Sequence, residues 1–134
     1  MRPRRPACRA VRSSALLLAV VGSVLVGCGK SSSSGAPKQC TAIRGGRYTL
    51  VGRNIAWNTT CLTLAKPGTV TFTILNKDQG TAHNLHVSGP GVNVKTDLEP
   101  GPNTQTLTVK LPQAGTYDFD CDIHATMEGQ LRVG

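Results

Sequence analysis

The chain has 134 residues, with 15 Lys and Arg against seven Asp and Glu, for a formal net charge of +8. That length holds about one domain. Five of the basic residues (Arg2, Arg4, Arg5, Arg9 and Arg12) and none of the acids precede Cys28, so the chain from Cys28 onward carries only +3, too little to argue for a nucleic-acid partner.

The first predicted element is a targeting segment. Arginines crowd the stretch to Arg12, and Ala15 to Val26 is then apolar apart from Gly22 and Ser23. A basic n-region followed by a short apolar h-region reads as a secretory signal and is short for a transmembrane helix. Arg4-Arg5 lacks the flanking residues of a twin-arginine signal, which leaves ordinary export. The run ends in Leu25-Val26-Gly27-Cys28, which resembles a bacterial lipobox. The expectation is a lipid on Cys28 holding the protein to the outer face of the bacterial cell membrane. The alternative is a small-residue cleavage site with a chance cysteine and a freely secreted product. Residues 1–27 are thus read as a signal peptide of lipoprotein type. Residues 28–39, with Ser31-Ser32-Ser33-Ser34-Gly35, are read as a Ser/Gly-rich tether, and residues 40–134 as the folded domain.

Within that domain Cys40 and Cys61 are expected to form a disulfide, since export favours pairing. Two free buried thiols are the alternative. The bridge would staple the first strand of a small domain whose few aromatics leave the core to Val, Leu and Ile.

From Cys40 onward the apolar period is two. Val70, Phe72 and Ile74 alternate with threonines. His83, Leu85 and Val87 follow, then Leu107, Val109 and Leu111, then Tyr117, Phe119 and Cys121, with Leu131 and Val133 last. Lys66-Pro67-Gly68, Gly89-Pro90-Gly91, Pro100-Gly101-Pro102 and Gln113-Ala114-Gly115 supply turns. No stretch has the pattern of an amphipathic helix. The expected fold is all-β, a Greek-key sandwich of about six to eight strands.

The same period places the chemistry. Cys121 shares a face with Tyr117 and Phe119 at the end of its strand. His83 shares a face with Leu85 and Val87 at the start of its own. His124 and Met127 follow Cys121 in a short loop, and Gly129 is expected to let the chain turn into the last strand. Two imidazoles, one thiolate and one thioether are the donor set of a type 1 copper site, soft enough to select copper over hard cations. His86 points the other way and reads as a surface residue, with a second metal role as the alternative. Asp118, Asp120, Asp122 and Glu128 gather near this end, either as a solvated strand face or as a patch that steers a basic partner.

On His83-Asn84, the strand Gly115-Thr116-Tyr117-Asp118-Phe119-Asp120-Cys121 and the ending Cys-x2-His-x2-Met-x-Gly, the chain from about Trp57 to Val133 resembles the cupredoxins, the family of plastocyanin, pseudoazurin and amicyanin. The short loop around His124 is closest to the amicyanin pattern. The resemblance implies His83, Cys121 and His124 as the strong trigonal ligands of one copper ion and Met127 as a weak axial ligand. It implies Asn84 as the residue tying the first His segment to the Cys loop, and His124 as the ligand nearest solvent and the electron port.

The expected function is single-electron transfer between extracytoplasmic redox partners, by a monomer held at the membrane through its lipid. A copper carrier or buffer lipoprotein is the alternative; carriers often use Met-rich or His-rich sites, whereas this chain has two methionines. An enzyme is not expected, because three histidines cannot build a type 1 site and a further copper cluster together. A Cys121–His124 hydrolase would leave Met127 without a purpose, and structural zinc would want a fourth strong ligand in place of a thioether.

Overall fold

The computed structural model describes residues 39–134. The expected signal peptide, Cys28 and all of the tether but Gln39 lie outside the described residues. Among the described residues there is no helix long and apolar enough to cross a membrane.

Among the described residues eleven strands follow one another: β1 (Thr41–Ala42), β2 (Arg47–Gly52), β3 (Cys61–Leu64), β4 (Gly68–Asn76), β5 (Ala82–His83), β6 (His86–Gly89), β7 (Val92–Lys95), β8 (Glu99–Pro100), β9 (Asn103–Leu111), β10 (Gly115–Asp120) and β11 (Glu128–Val133). Three of these are two-residue pairings, which accounts for the count above the expected six to eight. One sheet runs β1-β3-β11-β10-β6-β7, a second β2-β4-β9, and β5 pairs with β8 alone.

Alternation does what the sequence expects of it. In β4, Val70, Phe72, Ile74 and Asn76 face inward while the intervening residues are only partly covered. Their partners Val109 and Leu111 come from β9, and Leu62, Val87, Tyr117, Phe119, Leu131 and Val133 come from the larger sheet to complete one core cluster. The core is thus aliphatic with three fully or almost fully buried aromatic rings, those of Tyr117, Phe72 and Phe119. Tyr117 satisfies its hydroxyl by donating to the Gln113 carbonyl at 2.9 Å, as a buried phenol must.

Three of the strand pairings are parallel, β1 with β3, β3 with β11 and β2 with β4, so the sheets are mixed. The parallel β3–β11 pairing puts the beginnings of both strands at one end, Cys61 opposite Gln130. At that end β10 finishes, Asp120 facing both His86 and Glu128, and there the candidate site is built.

Two expectations change. His83 and Val87 do not belong to one strand: pairing breaks at Asn84-Leu85, and His83 pairs with Glu99 of β8 while His86 pairs with Asp120. The break arises because Asn84 turns its side chain inward, so that His83, Asn84 and Leu85 are all buried. Gly129 is no turn residue. It lies inside β11 directly opposite Phe119, where any Cβ would run into the Phe119 ring; the missing side chain makes room for an aromatic ring on the neighbouring strand.

Candidate metal centre

The site is assembled from two segments. The loop after β4 begins at Asn76, a buried amide that donates to the carbonyl of Thr81 at 2.8 Å and accepts from the N–H of Asp78 at 3.0 Å. Those bonds shape the connection that presents Asp78 and then His83. The second segment, Cys121 to Met127, is closed by the Cys121 N–H donating to the Met127 carbonyl at 3.0 Å. Inside it, the His124 N–H donates to Cys121 and the Met127 N–H to His124. A seven-residue stretch with its ends hydrogen-bonded together has little freedom left.

These segments bring together His83 Nδ1, His124 Nδ1 and Cys121 Sγ. The two nitrogens are 3.1 Å apart, and the sulfur is 4.0 Å from His83 Nδ1 and 3.5 Å from His124 Nδ1. The point in their plane equidistant from all three lies about 2.1 Å from each, against bonds of ~2.0 Å to imidazole nitrogen and ~2.3 Å to thiolate for a first-row ion such as zinc. The triangle therefore fits one transition-metal ion. Cys121 is the free cysteine of the described residues and is buried. His83 is wholly buried and Met127 equally so, while His124 is partly open to solvent. The Met127 methyl, the Trp57 ring and the edge of His83 converge over Gly52, where an added Cβ would lie 3.2 to 3.4 Å from each. The methyl end of Met127 and the His83 ring thus meet over the same glycine, and a soft thiolate–imidazole–thioether set of this kind suits copper.

The surroundings fix the donors. Asn84 accepts the Asp122 N–H at 2.9 Å and donates to the Asp122 carboxylate at 3.0 Å, so the His83 segment is tied to the residue after Cys121. Asp122 is held below the ordinary carboxylate range, first by the Lys95 ammonium and then by Asn84, against the cost of burial.

Two further residues act here without any motif to announce them. Asp78 Oδ2 accepts from His83 Nε2 at 2.8 Å. A carboxylate facing an imidazole N–H fixes the tautomer and leaves Nδ1 with its lone pair free. Asp78 is itself held by the backbone N–H groups of Asn54 at 2.6 Å and Ile55 at 2.9 Å, both at left-handed φ near 55°. Trp57 Nε1 donates to the Met127 carbonyl at 3.0 Å, pinning the backbone that carries the thioether. Neither has a spacing signature in the sequence: Asp78 stands five residues before His83 and Trp57 seventy before Met127. Cys40 and Cys61 are joined as a disulfide.

The chain matches the family of cupredoxin-like domains over residues 18–133. It is 46% identical over 55 residues to amicyanin-alpha of Methylorubrum extorquens, a stretch covering 38% of this chain and 44% of that protein, so the chain spans less than half the length of that relative. Among solved structures, an auracyanin from Roseiflexus castenholzii superposes with a TM-score of 0.58 at 21% identity, covering 66% of this chain and 97% of that one. Auracyanin A from Chloroflexus aurantiacus, described as a "blue" copper protein, gives 0.57 at 23% identity, covering 69% and 99%. At that identity the likeness speaks for the fold, which is the fold described above. The chain belongs to the cupredoxin-like family.

Proposed function

We propose that this protein is a copper electron carrier, with His83, Cys121 and His124 holding one copper ion and Met127 as its axial donor. The observation that carries the reading is the convergence of two imidazole Nδ1 atoms and one buried thiolate sulfur within 3.1 to 4.0 Å of one another. Bound copper supplies one-electron exchange between Cu(I) and Cu(II). The chain's own part is to hold the donors still while the charge changes. Asp78 locks the ring of His83, Asn84 locks the two segments together, and Trp57 locks the backbone of Met127. His124 is the ligand that solvent reaches and is the proposed point of electron entry and exit.

The donor set also argues against the other chemistries. The three histidines of this sequence leave only His86 outside the proposed site, one imidazole and no more for a second catalytic copper cluster. The basic and apolar N-terminal segment and the Leu25-Val26-Gly27-Cys28 ending support export and a lipid on Cys28, with residues 28–39 as the tether to a monomeric domain. A redox protein outside the cytoplasm is the proposed partner.

The test is an optical and EPR titration of the protein with Cu(II). Intense visible absorption from thiolate-to-copper charge transfer, with a narrow copper hyperfine splitting, is the expected result. Copper bound without that band would overturn electron transfer in favour of copper carriage.

A further inference from the structure

On the opposite side of the strand from Cys121, three more donors converge. His86 Nδ1 lies 2.9 Å from Asp122 Oδ1 and 3.6 Å from Asp120 Oδ1, and all three ligand atoms fall within 4.8 Å of one another. We propose that His86, Asp120 and Asp122 form a second metal site, for one divalent first-row cation, separate from the thiolate site.

The tautomer of His86 carries the first part of the argument. Its Nε2 lies 2.7 Å from Asn93 Oδ1. An amide oxygen only accepts, so Nε2 bears a hydrogen and Nδ1 is the ring atom turned toward the two carboxylates, hydrogen-bonded to Asp122 Oδ1 at 2.9 Å. A proton shared between Nδ1 and Asp122 Oδ1 satisfies that pair in the metal-free chain, and a divalent ion that displaces it gains the second carboxylate as well. One further observation points the same way. Asp120 Oδ1 is shielded from solvent and accepts no hydrogen bond, an orphaned acceptor aimed at His86. Asp122 is different: its other oxygen is taken by Lys95 Nζ at 2.7 Å and by Asn84 Nδ2 at 3.0 Å, which leaves Oδ1 to face the cluster.

The arrangement is also rigid and reachable. Asp120 and His86 are direct partners across β10 and β6, and Asn93 lies on β7, the next strand of the same sheet. Asn84 orients Asp122, and Asn93 orients His86, as outer hydrogen bonds orient ligands in built metal sites. An open hollow of about 410 Å³ is lined by these three residues and by Cys121 and His124, so an ion enters directly from solvent. The His86 Nδ1 separations of 2.9 Å to Asp122 Oδ1 and 3.6 Å to Asp120 Oδ1 lie within the span of two bonds of roughly 2.0 to 2.2 Å to a single ion. One imidazole and two carboxylates select a harder divalent ion than the thiolate site does, and Lys95 offsets one of the two carboxylate charges.

Zinc is the probe, being redox-silent. The full chain carrying Cys121→Ala and His124→Ala, which removes two of the three donors of the thiolate site, should bind one zinc ion by equilibrium dialysis. Adding His86→Asn or Asp120→Asn should abolish that binding, and Asn93→Ala should weaken it about tenfold. Asp118→Asn, on the same strand but outside the cluster, should leave it unchanged. In the unaltered chain, zinc should shift the 15N resonance of His86 Nδ1, which keeps the proposal testable if a variant fails to fold. Zinc retained after His86→Asn, lost equally after Asp118→Asn, or leaving the His86 resonance unmoved would overturn the site. None of these readouts depends on which metal His83, Cys121 and His124 hold.

Discussion

Asp78 and His83 face each other across 2.8 Å, carboxylate to Nε2, on the side of the ring away from Cys121. The nitrogen that points at the donor triangle is therefore governed by a residue outside it. Replacing Asp78 with Ala should lower copper affinity about 10- to 100-fold, the usual effect of removing a ligand's orienting partner. It should also free the N–H groups of Asn54 and Ile55, which Asp78 now accepts, and so lower thermal stability in the metal-free chain. A competition titration with a copper chelator measures the first and a melting curve the second. Unchanged affinity would show that the ring is held by packing alone.

Acid should act on this carboxylate late. Asp78 is held below its ordinary 3.8, chiefly by the Ile55 N–H and then by His83 and Asn54, in spite of its burial. A carboxylate lowered on folding contributes stability that is present above the unfolded value and is lost as pH falls through the folded one. The urea midpoint of the metal-free chain should exceed that of Asp78→Asn by a constant amount at and above about pH 5, and the gap should close only below 3.8. Asp120 has the opposite sign. Burial raises it, with Asp122, Asp118 and Glu128 adding to the rise and His86 opposing it. Its ionisation therefore costs stability, and Asp120→Asn should raise the urea midpoint at neutral pH while leaving it unchanged in strong acid.

Cys121→Ser should remove the intense visible band and leave the sandwich folded, because the core is built from Val70, Phe72, Tyr117, Phe119 and Leu131 and loses only one small side chain. Visible absorption together with far-ultraviolet circular dichroism reads both. An unchanged spectrum would sink the ligand assignment. Met127→Leu should keep the copper and raise its reduction potential if the thioether is the axial donor proposed above; voltammetry measures it, and a lowered potential or loss of the metal would overturn that role.

Gly129→Ala should destabilise the fold by about 1–3 kcal/mol, the cost of overpacking a filled site. The added methyl would have to displace the Phe119 ring, and Phe119 is 1% exposed. Chemical denaturation measures it. A neutral result would mean that the ring has space to swing aside.

Replacing Cys40 and Cys61 together by Ala should cost about 3 kcal/mol on the chain-entropy account of cross-linking, for a bridge between positions 21 apart. The same denaturation experiment under non-reducing conditions provides the comparison.

Much of this was legible in the sequence because it is written in period and spacing. Val70-Phe72-Ile74 and Tyr117-Phe119-Cys121 alternate strictly, and the structure buries each of them. The Cys121–Met127 segment is local, so its donors could be read together. What escaped is what a side chain does across the fold. The alternation through His83, Leu85 and Val87 concealed a break, because Asn84 prefers the Asp122 backbone to solvent. Gly129 looked like a turn because the Phe119 ring it accommodates lies on another strand. Asp78 and Trp57 carry no spacing signature, and their partners are set by tertiary contact.

The disulfide has a geometric consequence. Cys61 begins β3 opposite Gln130, beside the end of the sheet where Asp120 faces Glu128, and Cys40 is bonded to it. Cys40 is thus held near that same end of the sheet and not at the far pole. Through that bridge the residue before β1 is cross-linked to the start of β3, and β3 is paired in turn with β11, the strand that begins directly after Met127. Reducing that bridge should therefore loosen the entry to β11, next to the Cys121–Met127 loop, before it reaches the far ends of the strands.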